Sequence, residues 1–494
     1  MATTTLYWHD YETFGTNPRL DRPAQFAGLR TDLDLNPLGE PLVAWCRPPP
    51  DILPQPQACL ITGITPQLAE RNGLPEPEFI GRIHAQLSTP GTCSLGYNSM
   101  RFDDEVTRHT LWRNFFDPYR REWADGCSRW DIIDMVRLTH ALRPQGITWP
   151  RREDGAPSFR LEDLAAANGL EQEQAHDALS DVRATIALAR LVRERQPRLY
   201  HYVFSHRDKR FARALLDVGA GKPVLHVSAR FPANQGCISL ILPLAAHPEH
   251  PNEIIACDLR HDPAPLLELA AQDIRERLYT PAADLPDGMP RIPIKSVHVN
   301  KCPVLAPVSM LQPAEAERLQ LDGATLRRHR DALASNIDEV RGKLEAVFGE
   351  TNHQPNDDPE QGLYGGGFVS DQDRRRCERL RAASAEELAD RPPAFEDTRL
   401  QAMLLRYRAR NFPGSLDATE QNQWQQWREN RLQFAPDGGL TLEDYEQALE
   451  QLRSQPQTRP DQADILAALA QWGQTMRAAC PTLAPAERPG FPAA

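Results

Sequence analysis

Four acidic positions and one histidine stand out by type and spacing. In LYWHDYETFG, residues 6–15, Asp10 and Glu12 sit two apart inside an apolar, aromatic run that reads as a buried strand. Alternate residues of a strand share a face, so the two carboxylates project together while His9 and Tyr11 point away into packing. Such a pair is costly to bury unless a cation lies against it; alone, it would read as surface charge at a sheet edge. In GYNSMRFDDEV, Asn98 ends a strand, and Asp103 or Asp104 falls in the first turn of a helix, where a carboxylate meets the helix dipole and faces the sheet's end. In AHDALSDV, His176 precedes Asp181 by five residues, about 140° around a helix. If both serve one site, His176 lies on the loop entering the helix and Asp181 in its first turns.

Four acids and a histidine with no cysteine partner suit hard cations with oxygen ligands, Mg²⁺ or Mn²⁺, rather than zinc. Two such ions side by side clamp the attacking and leaving oxygens of an in-line phosphoryl displacement. An imidazole with an ordinary pKa of about 6.5 is suited to take the proton from the attacking water. The chemistry expected is phosphodiester hydrolysis.

The elements that must position these groups are legible in outline. TLYWHDYE, QFAGLRTDL and PLVAWCRP read as three strands of a meander, TCSLGYN as a fourth, and FIGRIHAQLS and FDDEVTRHTLWRNFF as helices. SRWDIIDMVRLTHALRP and FRLEDLAAANGL read as further helices, and AHDALSDVRATIALARLVRERQP as a long amphipathic one ended by Pro197. This is an α/β pattern around a mixed sheet. PVLHVSARF, CISLILPLA, EIIACDL and IKSVHVNKCPVL then read as short strands of a β-rich module with helical additions. After the polar linker TNHQPNDDPEQG only helices follow, ending in a Pro/Ala-rich stretch. The expected division is 1–196, 197–351 and 352–480, with 481–494 a disordered tail.

With 494 residues the chain exceeds one ordinary core. Its 40% hydrophobic and 25% charged content fit a soluble globular protein. No apolar run approaches the roughly 20 residues that span a bilayer, and the N-terminus lacks a signal-peptide layout, so a cytoplasmic protein is expected. Nine scattered cysteines without a CxxC argue for reduced thiols. The net charge of -12 argues mildly against nucleic acid, although net charge hides local patches and a metal site needs its own acids.

HDYETFG, GYNSMRFDDEV and AHDALSDV resemble the three motifs of the DEDD exonuclease superfamily, in the subgroup with histidine five before the last aspartate. The whole chain resembles the bacterial exonuclease I family, which acts 3'-to-5' on single-stranded DNA. RPQGITWP, RQPRLYHYVFSHRDK, VHVNKCPVLAP and YRARNFPGSLD carry the likeness beyond the motifs. It implies an RNase H-like exonuclease domain, an SH3-like domain and a helical C-terminal domain. It further implies that Asp10, Glu12, Asp103 and Asp181 hold two Mg²⁺ ions, with Mn²⁺ as substitute, that Asp10 bridges them, and that His176 is the general base. Asp103 is preferred to Asp104 because it follows Phe102 directly. Glu12 would also hold the terminal 3'-hydroxyl, and Arg160 would lie near the terminal nucleotide.

Single strands bind to cations interleaved with aromatic faces. The candidates are Arg108, Tyr119, Trp123, Arg137, Arg143, Phe159 and Arg160, then Lys209, Lys295, His298, Asn300 and Lys301. Tyr364 and Phe368, around three glycines, form either a stacking lid or a plain hinge. The likeness implies release of 5'-mononucleotides, a role in DNA repair and recombination, a monomer, no membrane partner, and docking to the acidic tail of single-stranded DNA-binding protein. An exoribonuclease on the same catalytic domain, or a catalytically silent nucleic-acid-binding protein, are the alternatives.

Overall fold

A computed structural model of the chain describes residues 3–170, 177–281, 284–286, 288–349, 358–455 and 461–480. His176 and the expected tail at 481–494 lie outside the described residues. The chain forms two compact units: Met1–Ser128 with Glu173–Val182 and Pro355–Ala494, and Arg129–Gln172 with Arg183–Gln354.

β1 (Thr5–Thr13), β2 (Pro23–Thr31), β3 (Leu42–Trp45), β4 (Thr92–Gly96) and β5 (Ser128–Asp131) make a sheet of order β3-β2-β1-β4-β5. β1 pairs antiparallel with β2 and parallel with β4, so the sheet is mixed as expected. Tyr7 and Tyr11 pack with Phe26 against Phe79, Ile80 and Ile83 of the Glu76–Leu87 helix and Val106 and Leu111 of the Asp103–Arg113 helix. The period of two that buries these tyrosines sends Asp10 and Glu12 to the other face. Gly96 closes β4 beside β1; a Cβ there would stand 2.7 Å from the His9 carbonyl oxygen.

Residues 128–131 differ from the helical reading of SRWDIIDMV. Trp130 is 1% exposed, and the four residues join the sheet before the Ile133–Leu142 helix begins. A four-residue strand joined to an amphipathic helix leaves too short a period-two signal to separate.

The C-terminal segment of the first unit is helical. Leu380, Leu400, Met403 and Tyr407 pack on Trp112 and Phe115, while Tyr445, Leu466 and Leu469 pack on Phe14, Leu53 and Leu60. Between these clusters lies a buried ionic network. Arg410 clamps Asp51 with two bonds of 2.9 and 2.7 Å, and Arg431 adds a third at 3.2 Å. Arg410 and Arg22 both donate to Glu360. Burial opposes the charged forms of Asp51 and Glu360, but the surrounding guanidiniums outweigh it and hold both carboxyls below their usual range.

In the second unit β6 (Val224–Val227), β7 (Ile238–Ala246), β8 (Glu253–Asp258), β9 (Ile294–His298) and β10 (Leu305–Pro307) form an antiparallel sheet of order β10-β6-β7-β8-β9. IKSVHVNKCPVL, read as one strand, is two: a turn at Val299–Val304 sends β9 and β10 to opposite edges.

Candidate active site

Asp10 and Glu12 lie opposite Ala27 and Gln25 of β2, and the register shifts immediately after Glu12. Bulges of this kind re-aim side chains beside active sites. Asp181 stands in the first turn of the Ala178–Arg195 helix. That turn is capped by Asp177, whose carboxylate accepts the Ser180 N–H at 3.1 Å and whose carbonyl accepts the Asp181 N–H at 3.0 Å. Carboxylate oxygens of Asp10, Glu12 and Asp181 all come within 4.8 Å of one another.

Asp103 opens its helix and is 4% exposed. β4 pairs with β1 only as far as Trp8, and past that point Asp103 Oδ1 takes up the Tyr11 N–H at 3.0 Å. The bond places Asp103 against the backbone between Asp10 and Glu12. Asp104 turns elsewhere, into an ion pair of 2.8 Å with Arg121. Of the two aspartates in FDDEV, only Asp103 acts on both strand carboxylates.

Burial, reinforced by Asp103, Glu12, Asp181 and Asp177, pushes the Asp10 carboxyl well above the ordinary range. Burial with Asp181, Asp103 and Asp177 pushes Glu12 up to about 9. Acids brought this close hold their charge only against a cation. Carboxylate oxygens alone make the set, which fits a hard divalent ion. Asp177, which sequence reasoning passed over, belongs to this field; its position directly after His176 was the available signal.

The other expected residues are dispersed. Trp123 is 68% exposed. It lines a groove of about 690 Å³ together with Trp112, Phe116, Tyr119, Tyr364 and Phe368. Arg108 is buried; Glu122 and Glu105 engage its guanidinium, which lies 5.7 Å from the Tyr119 ring centre. Tyr364 donates to Glu105 at 2.6 Å and accepts from Arg108.

In the second unit, Arg160 is exposed and bonds Glu162 at 2.6 Å. Arg137 pairs with Asp134 at 2.6 Å and lies 5.8 Å from the Phe159 ring centre. Arg143 donates to the Met310 carbonyl at 3.1 Å. Lys209 is exposed at the start of the Lys209–Leu215 helix. Lys295 is half-buried on β9, whose last residue His298 meets Glu253 at 3.1 Å. The Asn300 carbonyl accepts from Arg129, and Lys301 is exposed in the turn that follows.

Family models match along the chain: an exonuclease model at residues 7–189, the exonuclease I SH3-like domain at 207–350, and the exonuclease I C-terminal domain at 357–476. The exodeoxyribonuclease I of Escherichia coli K12 is 48% identical over 473 residues, covering 95% of this chain and 98% of that protein. The chain belongs to the exonuclease I family. A moderately thermophilic exonuclease I from Methylocaldum szegediense superposes with a TM-score of 0.92 at 52% identity, covering 96% of this chain and 99% of that one. Escherichia coli exonuclease I bound to a dA16 oligonucleotide gives 0.92 at 46%, covering 96% and 100%. A solved complex of SSB and exonuclease I with the inhibitor CFAM gives 0.87 at 45%, covering 96% and 100%. The family's exonuclease, SH3-like and C-terminal parts are thus all present, and the protein is an exonuclease. Among the described residues no helix is long and apolar enough to cross a membrane.

Proposed function

We propose that this protein removes nucleotides one at a time from the 3' end of single-stranded DNA and releases 5'-mononucleotides. The observation that carries the proposal is the convergence of Asp10, Glu12 and Asp181 on one point with Asp103 braced against the same strand. When bound, two divalent cations, Mg²⁺ with Mn²⁺ as substitute, supply the positive charge that an in-line displacement at phosphorus requires. Asp10, Glu12, Asp103 and Asp181 are the residues that would hold them. His176 takes a proton from water, whose oxygen bonds to phosphorus as the bond to the preceding 3' oxygen breaks; that oxygen takes up a proton from solvent, and the shortened strand ends in a 3'-hydroxyl. Glu12 orients the terminal 3'-hydroxyl, and Arg160 offers its fork to a phosphate oxygen.

Tyr119, Trp123 and Phe159 offer faces to bases, with Arg108 and Arg137 steadying two of these rings. Arg143, Lys209, Lys295, His298, Asn300 and Lys301 follow the backbone. The domain division is 1–196, 197–351 and 352–480. The protein acts as a cytoplasmic monomer in DNA repair and recombination and docks the acidic tail of single-stranded DNA-binding protein, a reading supported by the SSB complex of its relative.

The test is digestion of end-labelled single-stranded DNA, RNA and duplex with Mg²⁺ or EDTA. Cleavage from the 3' end of single-stranded DNA, abolished by EDTA, is expected. Cleavage that persists in EDTA overturns the metal assignment, and a preference for RNA overturns the substrate. His176→Ala should slow turnover by about 10² to 10⁴-fold, as for loss of a general base, with partial recovery as pH rises.

A further inference from the structure

Gln25 stands across from Glu12 in the β1–β2 register, so both side chains leave the sheet on one face. It is 5% exposed, and its Oε1 accepts the backbone N–H of Ala178 at 3.3 Å. Ala178 is fully buried and begins the helix that carries Asp181. The first N–H groups of a helix have no partner within it. Asp177 serves the Ser180 N–H; the Ala178 N–H, shut off from solvent, depends on Gln25.

We propose that Gln25 is a positioning residue for the reaction: its amide oxygen pins the start of the helix to β2 and sets how far Asp181 stands from Asp10 and Glu12. The inference rests on those acids being the metal ligands. An amide suits the post because it accepts a backbone N–H without adding charge to a face where five carboxylates already repel. Leaving a buried N–H without an acceptor favours displacement of the helix start.

The test compares Gln25→Met, which removes the acceptor, with Gln25→Glu, which keeps an acceptor oxygen in either protonation state. In metal-free, full-length Gln25→Met, hydrogen exchange across residues 178–181 should quicken while β1 and β2 stay protected. Its dissociation constant for Mn²⁺, read by electron paramagnetic resonance, should rise about tenfold, the low end for outer-shell substitutions. Turnover should fall with KM for the strand within about twofold, since strand contacts are untouched. Gln25→Glu should keep wild-type protection at 178–181 and bind Mn²⁺ at least as tightly as wild type. Unchanged exchange and Mn²⁺ affinity in Gln25→Met, or equal losses in both variants, overturns the proposal. If Gln25→Met loses protection throughout the sheet, Gln25→Glu decides alone: retention supports the pin, loss overturns it. Asp181→Ala runs in parallel; Mn²⁺ binding and turnover that survive there overturn the metal site itself, whereas their loss beside an unaffected Gln25→Met removes only Gln25.

Discussion

Asp104 and Arg121 form an ion pair of 2.8 Å with side chains 4% and 0% exposed, one residue beyond the acid that braces β1. Adjacent carboxylates therefore do separable work. Asp104→Ala should cost about 3 kcal/mol because the buried Arg121 guanidinium keeps, among the described residues, only Ser94 at 3.3 Å and Glu122 at 3.8 Å, while the folded fraction keeps its turnover. Asp103→Ala should lose turnover and move the urea midpoint less than Asp104→Ala, since losing the acceptor of the Tyr11 N–H is offset by removing a charge that opposes Asp10. Urea titration with single-turnover rates checks both, and the reverse pattern would exchange their roles.

Metal binding should expel protons. Without a cation, burial and neighbouring acids raise Asp10 and Glu12, the latter to about 9. Groups raised on folding contribute stability that is complete below their unfolded values and lost as pH rises through the folded ones. The EDTA-treated protein should therefore lose Tm between about pH 5 and 9, a loss that Mg²⁺ reverses. Calorimetry at pH 7 in buffers of different ionisation enthalpy should show proton release on Mg²⁺ binding; identical heats in all buffers count against it.

Trp123 and Phe368 are 68% and 87% exposed on the rim of one groove, more open than core aromatics. Replacing either with Ala should weaken single-stranded DNA binding by about 1 to 3 kcal/mol, the range for loss of one stacked base. Fluorescence anisotropy in EDTA separates this from turnover. Unchanged affinity in Phe368→Ala would leave the Tyr364–Phe368 stretch a plain hinge, and in Trp123→Ala would remove Trp123 from the path of the strand.

Arg410→Met should destabilise the first unit by about 3 to 5 kcal/mol, because Asp51 and Glu360 keep their charges and lose a partner. Both carboxyls are held low in the folded chain. Their contribution is present above the unfolded carboxylate values and lost as pH falls through the folded ones, so wild type and variant should converge in acid. Tm measured from pH 7 down to pH 3 tests this; a constant gap removes the network as its cause.

Local spacing was enough to read β1 and the acids it presents. Period two placed Asp10 and Glu12 together, and a capped first turn held Asp181. It could not choose between Asp103 and Asp104 from chemistry alone, because the choice depends on Arg121, seventeen residues after Asp104. Arg108 reads as an open cation until Glu122 is folded against it. Gln25 carries no signal of its own; its meaning comes from strand register and from a helix 153 residues away. The Asp51 network was equally silent, because its partners come from both ends of the chain.

That network also sets a timetable for synthesis. Asp51 leaves the ribosome 380 residues before Arg431, an interval of roughly 20 to 80 s at usual elongation rates. Until Arg410 and Arg431 follow, Asp51 is without its arginines, and the segment 129–172 with 183–354 must be made in between. A chain released before residue 410 therefore carries Asp10, Glu12, Asp103 and Asp181 with neither Arg410 nor Arg431 to meet Asp51.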